Sequence, residues 1–115
     1  MKSLINSFKY AFEGILTALK TERNMKIHFG FVGAVILCGI VFKMTKLEWM
    51  LCCICFALVI SAEMFNTAIE ALVDLASPEI HPLAKKAKDV AAGATLVTAI
   101  FAAIVGLLIF VPKVF

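Results

Sequence analysis

The chain has 115 residues, 63% of them hydrophobic, with a mean hydropathy of +1.01 and a formal net charge of +3. That apolar content lies well above ordinary globular composition, which sets aside a conventional water-soluble domain and predicts a single membrane domain. Nucleic acid is not expected as a partner.

The first 26 residues carry Lys2, Lys9, Glu13, Lys20, Glu22, Arg23 and Lys26. With no central apolar block and no small-residue cleavage site, no cleavable signal peptide is expected. Leu4, Ile5, Phe8, Phe12, Ile15, Leu16 and Leu19 recur at i, i+3/i+4 spacing, and Lys2, Lys9, Glu13 and Lys20 fall on the other side. This pattern predicts an amphipathic helix over about residues 1–20, lying on the membrane surface. Packing on the protein's own bundle is the alternative.

Three charge-free runs follow: Ile27–Phe42 (16 residues), Trp49–Ala62 (14) and Val90–Val111 (22). Crossing about 30 Å of hydrocarbon takes about 20 residues. The third run spans outright. The first reaches that length by taking in Lys26 and Lys43, whose long stems let the charge reach water. The second does so only by carrying Glu63 and Asn66 into the membrane. The expected fold is therefore an all-α membrane protein with transmembrane helices over about 26–44, 48–74 and 86–112, plus the amino-terminal surface helix.

Counting basic residues gives an orientation. Lys2, Lys9, Lys20, Arg23, Lys26, Lys85, Lys86 and Lys88 share one side, against Lys43, Lys46 and Lys113 on the other. The positive-inside bias puts the amino terminus and the Asp74–Asp89 loop in the cytoplasm.

The segment Glu63–Asp74 holds the chemistry. At about 100° per residue, with Glu63 at 0°, Asn66 falls near about −60°, Glu70 near about −20° and Asp74 near about +20°, so all four share a helix face. Ionised carboxylates in hydrocarbon are costly and tend to be functional. Glu22 before the first span and Lys88-Asp89 before the third lie at the same end. Glu22, Glu63, Glu70, Asp74, Lys88 and Asp89 are thus expected to converge from three helices. Carboxylates and an amide without His or Cys suit a hard cation, magnesium before zinc. Lys85, Lys86 and Lys88 add the charge that phosphoryl oxygens need. No G-x-x-x-x-G-K-[ST] loop and no soluble-kinase motif is present, so a nucleotide must be held by another device. Residue chemistry alone therefore predicts a metal-assisted phosphate site facing the cytosol and does not name a substrate.

The runs Glu63-x-x-Asn66-Thr67-Ala68-Ile69-Glu70-x-x-Val73-Asp74 and Ala87-Lys88-Asp89-x-x-x-x-Ala94, with Glu22 and Tyr10-x-x-x-Gly14, resemble the prokaryotic integral-membrane diacylglycerol and undecaprenol kinase family. The likeness covers nearly the whole chain. It implies a homotrimer of three-span protomers in the bacterial plasma membrane, transferring the γ-phosphate of ATP to a lipid hydroxyl. It further implies Glu63 as general base, and Glu22 and Glu70 as ligands of the Mg2+ that accompanies ATP. Tyr10, Glu22, Glu70, Glu79, His81, Lys88 and Asp89 would contact nucleotide, with Asn66 and Asp74 as supporting polar residues. The runs Glu22–His28 and His81–Lys85 are similar to the undecaprenol kinase-like branch, with diacylglycerol as the second candidate substrate.

Other features have plainer readings. Cys38, Cys52, Cys53 and Cys55 lie in apolar runs as small packing residues, and Cys53-x-Cys55 lacks further zinc ligands. His28 reads as an interfacial residue opening the first span, and Trp49 as an aromatic anchor. Ala99-x-x-x-Ala103 and Ala102-x-x-x-Gly106 permit close helix approach. The competing class is a small proton-coupled transporter, since intramembrane glutamates can relay protons. The acids here gather at one face rather than at midplane, which favours the kinase.

Overall fold

The computed structural model describes residues Met1–Phe115 as four helices: α1 (Lys2–Thr21), α2 (Arg23–Val41), α3 (Lys46–Ala76) and α4 (Pro82–Val114). The last three are long and apolar enough to cross a membrane, so the all-helical, three-span expectation holds. Nine of the 115 residues are buried. That is too few to fold a domain in water, and apolar side chains such as Leu37, Leu58, Phe101 and Leu108 face outward.

Each boundary has a local cause. Glu22 alone separates α1 from α2, with extended backbone at φ −103° and ψ 118°. The α2 end is closed by Lys43 in the left-handed region (φ 54°), with the Met44 N–H donating to the Gly39 carbonyl at 3.0 Å. This six-to-one bond satisfies a carbonyl that the helix end would otherwise leave open. Thr45 and Glu48 start α3 with a reciprocal capping box, their backbone N–H groups donating to each other's side chains at 2.9 and 3.2 Å. Pro82 fits the first turn of α4 because it needs no N–H partner there, and His81 Nδ1 accepts from the Leu83 N–H at 3.1 Å. These caps start α4 at Pro82, four residues before the expected span start at about residue 86.

The packing follows alternating spacings of three and four. On α2 the residues turned from solvent are Met25, His28, Val32, Val35 and Gly39. On α3 the corresponding stripe is Trp49, Cys52, Phe56, Val59, Glu63, Asn66, Glu70 and Val73. On α4, Lys88, Ala91, Thr95, Thr98, Ala102, Val105 and Ile109 keep the same rhythm. A mean spacing of about 3.5 is the signature of helices packed side by side over many turns.

α3 and α4 form an antiparallel hairpin with an ion pair at each end. Lys88 pairs with Asp74 beside the connecting loop. Lys113 Nζ meets Glu48 Oε1 at 2.9 Å at the far end. Between Glu48 and Asp74 the helix rises about 39 Å at about 1.5 Å per residue. The apolar core, Met44, Cys52 and Ile109 with Trp49 and Phe56 packed on it, occupies the Glu48–Lys113 end. A Cβ at Gly39 would come within 2.6 Å of the Trp49 ring, so glycine lets that indole lie against α2. α2 packs on α3 but its backbone stays away from α4, leaving an apolar groove of about 610 Å³ between the three. Phe42 and Phe110, edge to face at 6.4 Å, lie at one end of it. Cys52 and Cys55 pack inward, whereas Cys38 and Cys53 face outward. α1 packs on α2 and reaches α3, with Ala18 buried and Leu4, Ile5, Phe8, Phe12 and Leu16 exposed.

Candidate active site

The site grows out of the α3 stripe. Trp49, Cys52, Phe56 and Val59 supply apolar contacts, and the same rhythm then delivers Glu63, Asn66 and Glu70. Glu63 is 2% exposed and Asn66 7%, while Glu70 is half-buried. The next inward position is Val73, so Asp74 steps off the stripe and its side chain is 65% exposed. A hydrocarbon slab of about 30 Å beginning at Glu48 ends about 20 residues on, near Ala68. With the slab set there, Glu63 would sit about 7 Å inside that edge and Glu70 and Asp74 would lie beyond it.

Five of the six residues expected to converge form pairs strung along the helices. His28 Nε2 lies 3.8 Å from Glu63 Oε2. Asn66 Nδ2 donates to Glu70 Oε1 at 3.1 Å. Asp74 takes Lys88, and Asp89 takes Lys85 at 2.5 Å, one turn away on its own helix. Glu22, half-buried at the α1–α2 break, makes no side-chain cap. Neither Glu22 nor Glu70 is ion-paired with a basic side chain. Both carboxylates remain available to a ligand. No three His, Cys, Asp or Glu side chains gather as a closed metal-holding group.

Asn66 carries a further signal. Its Oδ1 is buried without a hydrogen-bond partner, as is Thr67 Oγ1. Turning the amide over would set two oxygens together at Glu70, so the bond to Glu70 fixes the carbonyl as the open atom. A buried acceptor without a donor costs about 1–3 kcal/mol. A cation or an N–H or O–H donor arriving beside Glu70 would recover that cost.

The remaining expected contacts lie at the rim. Tyr10 is exposed on α1. Glu79 and His81 are exposed in the α3–α4 connection, where the Glu79 carbonyl accepts from Ser77 Oγ at 3.0 Å. His81 uses Nδ1 as a helix cap, which leaves Nε2 to face outward chemistry. One residue at the centre goes unrecognised in the sequence. His28 reads there as an interfacial residue, yet it lies on the inward stripe of α2, and the spacing Met25, His28, Val32, Val35 was the signal.

The chain matches a family model and known proteins over most of its length. The model of the family described as prokaryotic diacylglycerol kinase matches residues 9–110. An undecaprenol kinase of Bacillus subtilis is 43% identical over 113 residues, covering 98% of this chain and 92% of that protein. A diacylglycerol kinase of Synechocystis sp. is 40% identical over 111 residues, covering 96% of this chain and 63% of its own length. A diacylglycerol kinase of Haemophilus influenzae is 39% identical over 88 residues, 75% of this chain and 73% of that protein. None of these relatives supports a transporter.

Proposed function

Because the chain belongs to the prokaryotic diacylglycerol kinase family, we propose that it transfers the γ-phosphate of ATP to the primary hydroxyl of a membrane lipid, undecaprenol before diacylglycerol. The observation that carries the choice of lipid is the 43% identity to an undecaprenol kinase across almost the full length of both chains. Diacylglycerol, named for the other relatives, is the second reading.

Glu63, inside the slab edge, takes the proton from the lipid hydroxyl as its oxygen attacks phosphorus. Such general-base help is worth about 10²–10⁴-fold. Glu22 and Glu70 are carboxylates without a basic partner and would hold a magnesium ion, which enzymes hold with one or two carboxylates plus substrate phosphates, and the open Asn66 Oδ1 lies on the same helix as Glu70. The chemistry supplied by a bound magnesium ion is neutralisation of charge on the transferring phosphoryl oxygens. Lys88 and Asp89 with Tyr10, Glu79 and His81 line the approach of the nucleotide. Asp74 holds Lys88 to α3 and so keeps α4 in register with the carboxylates.

The protein works in the bacterial plasma membrane, with its amino terminus and site on the cytoplasmic face, as the eight-to-three distribution of basic residues favours. α1 lies along that surface, an assignment supported by the apolar side chains it leaves exposed. Protomers associate as a homotrimer, supported by the small number of buried residues and by the small-residue face of α4. The test is transfer from radiolabelled ATP in mixed micelles containing undecaprenol or diacylglycerol. Faster labelling of undecaprenol is expected. Preferential labelling of diacylglycerol would reverse the choice of substrate, and labelling of neither lipid would remove the kinase reading.

A further inference from the structure

The inward stripe of α2 contains a single titratable side chain, and the structure sets it against the most buried acid of the chain. His28 Nε2 stands 3.8 Å from Glu63 Oε2, with the two side chains 20% and 3% exposed. A carboxylate removed from water to that degree is costly unless a partner compensates it. The lysines near acids are committed elsewhere: Lys85 to Asp89, Lys88 to Asp74 and Lys113 to Glu48. Glu63 has His28 alone as a basic partner.

The other side of the imidazole is equally informative. His28 is the one polar side chain lining the apolar groove between α2, α3 and α4. Val32, Val35, Phe56 and Val59 surround the rest of that space, and α4 presents Ala99, Ala102 and Ala103 to it. A histidine between apolar walls and a buried carboxylate has few orientations open to it. Its ring is therefore held where it restricts the glutamate.

The geometry points to His28 as a positioning residue for Glu63: the imidazole fixes the rotamer of the carboxylate and turns a ring nitrogen towards one of its oxygens, leaving the second carboxylate oxygen to meet the lipid hydroxyl. This inference rests on the reading of Glu63 as general base and deepens it. Separations somewhat longer than a hydrogen bond are common between such groups before substrate arrives, and they tighten in the reacting complex. His28 transfers no group itself. It acts through Glu63, as the third member of a catalytic triad acts through the base it orients.

A double-mutant cycle tests the assignment. Turnover and KM for Mg-ATP are measured in mixed micelles for wild type, His28→Leu, His28→Gln, Glu63→Gln and the His28→Leu/Glu63→Gln double variant. Loss of the hydrogen bond to a charged group that this contact forms on tightening in the reacting complex predicts a fall of about 10–100-fold in kcat for His28→Leu, with KM for Mg-ATP unchanged. His28→Gln keeps an N–H donor at similar reach and should recover most of the loss. Once Glu63 is glutamine, His28→Leu should cost nothing further, because both residues serve one function. Multiplying losses, a glutamine no better than leucine, or a His28→Leu enzyme within about threefold of wild type would each overturn the role of His28, while a depressed Glu63→Gln leaves the base assignment standing. Full turnover in Glu63→Gln would overturn the base assignment, and the role of His28 with it.

Discussion

Replacing Asn66 with leucine should separate the stability of this fold from its activity. Asn66 is 7% exposed, donates Nδ2–H to Glu70 Oε1 at 3.1 Å, and leaves Oδ1 buried and without a partner. The substitution loses a hydrogen bond to a charged group, worth about 1.5–3 kcal/mol, and removes an unsatisfied acceptor that costs about 1–3 kcal/mol. Leucine has the same branched four-heavy-atom side chain as asparagine, with bulkier methyls in place of the amide, and extends the apolar stripe begun by Phe56 and Val59. The two terms oppose each other and nearly cancel, so the unliganded variant should unfold within about 1 kcal/mol of wild type. For a chain of this size that is a midpoint shift of about 4–8 °C at most. The liganded state should differ. Nucleotide at about 100 times its Kd adds about 2.7 kcal/mol to wild type, and the variant, lacking the open oxygen beside Glu70, should gain far less. Thermal unfolding in detergent, followed by Trp49 fluorescence with and without Mg-ATP, reads both quantities, and phosphotransfer reads the third. An unliganded loss above about 3 kcal/mol would show that Oδ1 is satisfied after all. An undiminished Mg-ATP shift would remove Asn66 from metal-nucleotide binding.

Four further outcomes are expected. Glu63→Gln keeps shape but not basicity, so Mg-ATP affinity should survive while kcat falls about 10²–10⁴-fold; turnover within about threefold of wild type, with chemistry rate-limiting, would end its role as base. Glu22→Gln and Glu70→Gln should each weaken Mg-ATP binding as well as turnover, and unchanged affinity in both would take them out of metal binding. In a background without native cysteines, Thr45→Cys should label from outside intact cells and Ile80→Cys only after permeabilisation, the reverse pattern inverting the topology. Native mass spectrometry in mild detergent should show a trimer; a fully active monomer is the refuting result.

Much of the fold is written in charge and spacing. The three apolar runs mark the spans, and the T-x-x-E at Thr45 and Glu48 is a legible helix start. The acid face of α3 is legible too, because Glu63, Asn66 and Glu70 obey the period that places Phe56 and Val59. What escapes the sequence is partnership across helices. A count of degrees per residue sets Asp74 beside Glu63, but a stripe that advances by threes and fours delivers Val73 inward and turns Asp74 towards Lys88. Asp89 looks like a companion of the other acids, yet the nearer Lys85 claims it. His28 hides because its position near a span end suggests an interfacial role, and only the facing α3 shows what it touches. The one-residue break at Glu22 has no glycine or proline to announce it.

The hairpin of α3 and α4 is a ruler. Its two charge pairs, Glu48–Lys113 and Asp74–Lys88, stand about 39 Å apart along the helix, longer than the roughly 30 Å of hydrocarbon in an average bilayer and close to the thickness that includes the headgroups. Neither pair can be drawn into acyl chains cheaply, so a thicker or thinner membrane must be met by tilting the hairpin or deforming the lipid around it. Tilting raises or lowers Glu63 relative to the plane where lipid hydroxyls lie. The same ion pairs that fasten the helices therefore tie the depth of Glu63 to acyl-chain length, and the enzyme should work best in the bilayer whose thickness its own charges prescribe.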